Sequence, residues 1–204
     1  MHNLVTYVWH QEADLPPNDA VFYQYITAAN GVFVRAENDF VDACFLVTAP
    51  VPPGISICGL HPLKGWLRLK APKIPFPILE QAVADAQNTP NLNETLYYVT
   101  WANGRYHLRK PTDQQGTPAA VRSHIVETDT LVVMDIHSHG RADPFFSPTD
   151  DHDETRLRFY GVIGSLNAVP QFKFRLGIYG HWVETPANAL FQMVPQNKDA
   201  YSWM

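Results

Sequence analysis

The sequence predicts a mixed α/β fold, with a small β-rich module followed by a larger domain that opens on a helix. Three observations lead there. Residues 21–48 hold runs of β-branched and aromatic side chains separated by turn residues. A proline-dense stretch at 71–77 interrupts that pattern. Directly afterwards the apolar period changes from two to about 3.6.

The elements follow in order. Val21–Thr27 and Val32–Arg35 flank Asn30-Gly31, and both of these residues tolerate positive φ, so a hairpin is expected. A third run, Phe40–Thr48, stops at Pro50, Pro52, Pro53 and Gly54. Ala71-Pro-Lys-Ile-Pro-Phe-Pro77 cannot continue a helix or a central strand, and it predicts a linker. Ile78, Leu79, Ala82, Val83 and Ala86 then fall at helical spacing, ended by Asn88–Asn93. Thr95–Trp101 and Arg105–Lys110 surround Asn103-Gly104, a second hairpin by the same argument. Leu131–His139 reads as a buried strand, a polar helix starts near Ser147, and strands follow at Phe159–Gly164 and Phe172–Val183. The expected organisation is a β-rich module at 1–70, a linker at 71–77, a mixed α/β domain at 78–190 and a tail at 191–204.

Composition narrows the function classes. The 204 residues are 46% hydrophobic, enough for a substantial core, with a formal charge of -5 and a pI near 5.9. An acidic surface without a Lys/Arg cluster argues against nucleic acid as the primary partner. The two cysteines, Cys44 and Cys58, form no C-x-x-C pair and read as small buried hydrophobes. Met1–His10 lacks a basic segment followed by an apolar run, and no stretch reaches the ~20 apolar residues that cross a bilayer. The expectation is a soluble protein of a reducing cytoplasm with no membrane partner.

The chemistry concentrates in Asp135-Ile-His137-Ser-His139-Gly-Arg-Ala-Asp-Pro-Phe-Phe-Ser147-Pro-Thr-Asp150. On a strand, residues two apart share a face, so His137 and His139 project side by side as two ligands of one metal must. Asp150 offers a carboxylate, and two imidazoles with one carboxylate leave a tetrahedral zinc one open position for water. Taken singly, each part has a plainer reading. H-x-H occurs by chance, and Ser147-Pro-Thr-Asp150 also fits a helix start with a capping box. The readings are compatible, because a helix N-terminus is a scaffold on which Asp150 is aimed at a metal and Ser147 at a substrate. In the run Asp150–Glu154 one side chain faces the metal, by spacing Asp150; the others, His152 included, read as a solvated face. The remaining histidines (His2, His10, His61, His107, His124, His181) have no partner at ligand spacing.

Joined, H-x-H, seven residues, Ser, two residues and Asp resemble the signature of the JAB/MPN (JAMM) zinc metallopeptidases. The resemblance implies a cytidine-deaminase-like sheet with flanking helices and one Zn2+ on His137, His139 and Asp150. It also implies a glutamate general base, which falls on Glu94, with Glu80 of the preceding helix as the competitor. Ser147 becomes the oxyanion donor. The sequence departs from the family after Glu94, where the usual glycine and leucine pattern is replaced by Thr-Leu-Tyr-Tyr-Val-Thr-Trp. It departs again at Gly140, where many relatives have proline, and at Asp135, where an aromatic residue is common. Asp135 shares the face of His137 and is read either as orienting an imidazole or as a strand Asp remote from the metal.

A narrower resemblance rests on Ala28-Ala-Asn-Gly31-Val-Phe, His-Ser-His-Gly-Arg, Phe145-Phe146-Ser147 and Thr149-Asp150-Asp151, which look like PRTRC system protein A. That is a JAB group of bacterial integrative elements, which also encode E1-like and ubiquitin-like proteins; similar JAB proteins occur in antiphage operons. It implies an isopeptidase acting after the C-terminus of a ubiquitin-like protein, with that protein, its conjugates and E1/E2-like proteins of the same operon as partners. Two other functions stay open: hydrolysis of a small amide or sulfur-carrier tail, and a non-catalytic JAB scaffold.

Overall fold

The computed structural model describes residues 3–52, 54–117, 120–122, 131–192 and 202–203. Chain contacts divide it into two units. One comprises Met1–Pro72 with Thr155–Leu157 and Gly177–Val183; the other comprises Lys73–Glu154, Arg158–Leu176 and Glu184–Met204.

The first unit is built on a five-stranded sheet in sequence order. Its strands are β1 (Val5–Trp9), β2 (Tyr23–Ala28), β3 (Gly31–Glu37), β4 (Val41–Leu46) and β5 (Trp66–Leu69). β1 pairs in parallel with β2, and the other neighbours are antiparallel. Alternation in β2 and β3 sends Ile26, Ala28 and Phe33 into a cluster with Cys44. Burial pushes the Cys44 thiol up to about 12, so it is an inert packing group. Cys58, expected to be buried, is exposed, because the proline- and glycine-rich segment after β4 is a surface loop. Asn30 also behaves differently from a simple turn residue. Its amide donates to the Leu63 carbonyl and its side-chain oxygen accepts from the Leu63 N–H, tying the β2–β3 turn to that loop.

The second unit begins inside the expected linker. Ile74–Pro75 forms a short strand, β6, and Phe76–Gln87 is helix α1, with Pro77 in its first turn. Proline is tolerated there, since the missing N–H would have no helical partner, so the proline run both holds the boundary between the units and starts a helix. The buried face of α1 is Phe76, Leu79, Ala82, Val83 and Ala86. After a 3-10 turn at Pro90–Leu92 come β7 (Leu96–Ala102), β8 (Arg105–Arg109), β9 (Gln115–Thr117), β10 (Ala120–Arg122) and β11 (Leu131–Ser138). Helix α2 (Pro148–Asp153), β12 (Arg158–Gly164) and β13 (Gln171–Ile178) follow, and then β14 (His181–Glu184), whose residues up to Val183 count with the first unit. Ala187–Leu190 is a single helical turn, α3, leading into β15 (Phe191–Gln192), and Ser202–Trp203 is β16. Within 191–204, expected as a tail, the described residues form strands: β15 pairs with β6, and β16 with β13.

The main sheet runs β14-β13-β12-β11-β7-β8, with β11 parallel to β12 and antiparallel to β7. Asn103-Gly104 turns β7 into β8 with both residues at positive φ (52° and 73°), as the sequence predicts. The single strand expected over Phe172–Val183 is instead two, because Tyr179 and Gly180 take positive φ (47° and 89°) and reverse the chain. Among the described residues, no helix is long and apolar enough to cross a membrane.

Leu79 is wholly buried on α1. Leu79→Ala is expected to lower unfolding stability by about 2–5 kcal/mol, read from the midpoint of a denaturant titration at unchanged slope.

Candidate metal centre

The site forms where β11 ends. His137 occupies the penultimate position of the strand, opposite Leu96 on β7 and Val162 on β12. Pairing continues past the ends of β7 and β11: the Ser138 N–H donates to the Thr95 carbonyl, and the His139 N–H donates to the Ile163 carbonyl (2.8 Å). Ser138, pointing to the other face, accepts from the Thr95 N–H on its Oγ (3.0 Å). His137 and His139 thus leave one face, with their Nε2 atoms 3.0 Å apart.

The third donor arrives through α2. Ser147 is the N-cap: its Oγ accepts from the Asp150 N–H (3.2 Å), and Asp150 Oδ2 accepts from the Ser147 N–H (2.6 Å). This reciprocal box fixes the Asp150 carboxylate and leaves Oδ1 facing His137 Nε2 at 3.5 Å. Cap and site are one arrangement. Among the described residues, His137, His139 and Asp150 form a group whose ligand atoms all lie within 4.8 Å of one another. Two ligands of a tetrahedral zinc, each about 2.0–2.1 Å from it, stand roughly 3.3 Å apart. The 3.0 and 3.5 Å separations straddle that spacing, so the donor set fits such an ion.

Electrostatics point the same way. Burial holds His137 well below the ordinary imidazole value, with Asp150 opposing and His139 and Arg175 adding to the fall. His139 is lowered by burial as well, against the pull of Asp150 and the Asp143 backbone. Both rings are therefore neutral at pH 7, the form that ligates. The edge of Phe145 stands against the His139 ring at a centroid distance of 4.5 Å.

Glu94 is half-buried just before β7, and its N–H donates to the Thr117 carbonyl (2.8 Å). Extending the β7–β11 register by two residues sets it opposite His139. Burial, and then the charge of Asp150, raise its carboxyl from 4.5 to about 7. Glu80, the competitor, is exposed on α1. Gly140 has a structural reason to differ from proline. Its φ is 55°, which a proline ring near −65° cannot adopt, and a Cβ there collides with the Leu92 carbonyl oxygen.

Sequence reading missed the arginine partners of the acidic groups near the site. Asp135 receives Arg158 Nη1 on both carboxylate oxygens (2.7 and 3.0 Å). Asp151 and Glu154, expected on a solvated face, both pair with Arg175 of β13, and Glu154 is buried. The available signal was a pair of cations, Lys173 and Arg175, in the otherwise uncharged run Phe172–Ile178. Among the other histidines, His181 shares a 2.7 Å hydrogen bond with the Tyr25 hydroxyl, and His10 lies beside His61. His2 and His124 lie outside the described residues.

Residues 78–177 match the family described as prokaryotic homologs of the JAB domain. No curated protein matches the chain.

The raised Glu94 pKa has a sign that stability measurements can read. Between pH 4.5 and 7 the folded state binds a proton that the unfolded state releases, so stability falls as pH rises through that window. Metal-free Glu94→Gln is therefore expected to melt above wild type at pH 8 and level with it below pH 4. A difference that does not vary with pH contradicts a raised Glu94.

Proposed function

Residues 78–177 are a JAB domain, and on that premise we propose that the chain is a zinc-dependent peptidase cleaving the amide or isopeptide bond after the C-terminus of a ubiquitin-like protein. The observation that carries this reading is the convergence of His137, His139 and Asp150 beside a half-buried Glu94. Zinc bound to such a set supplies Lewis acidity, polarising a carbonyl and acidifying water.

The chain's own groups do the rest. His137 and His139 present neutral nitrogens, and Asp150 turns one oxygen toward them. Glu94, balanced near neutral pH, takes a proton from the attacking water as it adds to the scissile carbonyl. It returns that proton to the nitrogen as the C–N bond breaks, so the amine leaves neutral. The Ser147 oxygen already accepts the Asp150 amide, which leaves the hydroxyl proton to donate toward the developing oxyanion. Losing a donor in that role typically costs roughly a hundred- to a thousandfold in rate.

The narrower resemblance to PRTRC system protein A and to the JAB proteins of bacterial conjugation operons supports a ubiquitin-like substrate, as an extended precursor or as a conjugate. E1- and E2-like proteins of the same operon are the partners this implies. An extended tail suits capture along a sheet edge, where main-chain hydrogen bonds supply affinity. We read the main sheet as the cytidine-deaminase-like arrangement of that family.

Glu94→Gln is expected to retain one zinc per chain while losing cleavage of a ubiquitin-like fusion; wild-type turnover assigns the base elsewhere. His137→Ala is expected to lose both zinc, measured by metal analysis, and activity. Stoichiometric zinc in that variant removes His137 from the ligand set. Wild-type protein without zinc at neutral pH would point instead to a non-catalytic module.

A further inference from the structure

Helix α2 carries Asp150 but has no apolar face to bury. Its six residues, Pro148-Thr-Asp-Asp-His-Asp153, include none that is buried. Isolated helices shorter than about 12–15 residues are marginal even in favourable sequences. A polar helix this short keeps its direction only if something ties it to the sheet.

Arg175, buried on β13, makes that tie. Its Nε donates to Glu154 Oε2 (2.6 Å) and its Nη1 to Asp151 Oδ1 (2.7 Å). The guanidinium carbon lies 3.9 Å from the centre of the Phe146 ring. One side chain thereby holds the residue before the N-cap, a residue of the first turn, and the C-cap Glu154, whose N–H also closes onto the Asp150 carbonyl (2.8 Å). Asp150 lies between these three attachments. We propose that Arg175 is the positioning residue of the site: it fixes α2 and so directs Asp150 Oδ1 at His137 and His139.

The planar fork of arginine suits this task, because it serves two carboxylates and an aromatic face at once; lysine is a single point charge. Nor is the cluster well explained as a source of global stability. Replacing a buried ion pair by apolar residues is often neutral or stabilising. Its distinctive product is direction.

The consequence for metal affinity rests on the zinc site proposed above, while the clamp itself does not. The double variant Arg175→Leu/Glu154→Leu leaves no unpaired charge between these two partners and tests both. Hydrogen exchange of the amides at 150–154 is followed in metal-free protein, zinc affinity by competition with a chelator, and folding by thermal unfolding. We expect a melting temperature close to wild type, exchange at 150–154 faster by about tenfold or more, and zinc affinity lower by about 10–100-fold. Wild-type exchange in the double variant overturns the clamp, whatever the zinc result. Asp151→Asn, whose parent side chain is 46% exposed, serves if the double variant does not fold. It is expected to speed exchange severalfold, and unchanged exchange overturns the proposal equally. Wild-type protein that binds no zinc, combined with faster exchange in the variant, supports the clamp and removes only the metal reading.

Discussion

β11 is hydrogen-bonded along both edges, to β12 in parallel and to β7 in the opposite sense, and that double pairing leaves its side chains two directions only. Ile136 and Ser138 go to the buried side, while Asp135 and His137 go to the other. The same ladder carries Thr95 onto Ser138, and Glu94 with it, so the candidate base and the imidazoles are placed by one register. A slip of one residue would send both histidines into the core and the apolar residues into the cleft. The rest of the site is fitted to what this strand fixes.

Polar groups near the site are shared between holding the chain and facing the cleft. Ser147 starts α2 and presents its hydroxyl; Asp150 closes the cap and faces His137. Near them Arg158 pairs with Asp135, and Arg175 with Asp151 and Glu154, so charges close to a buried imidazole pair are largely compensated. The compensation is incomplete at Glu154, whose carboxyl burial raises to about 8 despite its arginine.

What could be read from the sequence was local. Two histidines two residues apart, a serine three before an aspartate, and Asn103-Gly104 between strand-forming runs each encode a geometry within a few bonds, and the structure has those geometries. What could not be read depended on residues far along the chain. The partner of Glu154 is 21 positions away and that of Asp135 is 23 positions away, so a charge run looks solvated until the sheet closes over it. The turn at Tyr179-Gly180 was only half signalled: Gly180 marked a possible break in Phe172–Val183, but tyrosine is a strand-forming residue that seldom adopts positive φ. The prolines of 71–77 were read for what they forbid, a helix interior, and not for the first turn that they permit.

The two oxygens of the Asp150 carboxylate face different ways. Oδ2 accepts the Ser147 amide, and Oδ1 is the oxygen turned toward His137. A large, hard cation such as calcium needs six to eight oxygen ligands and commonly takes a carboxylate through both. Here two of the three grouped donors are nitrogens, which such an ion disfavours. Two imidazoles and one carboxylate suit a small ion with few ligands better than one that needs a crowded oxygen shell.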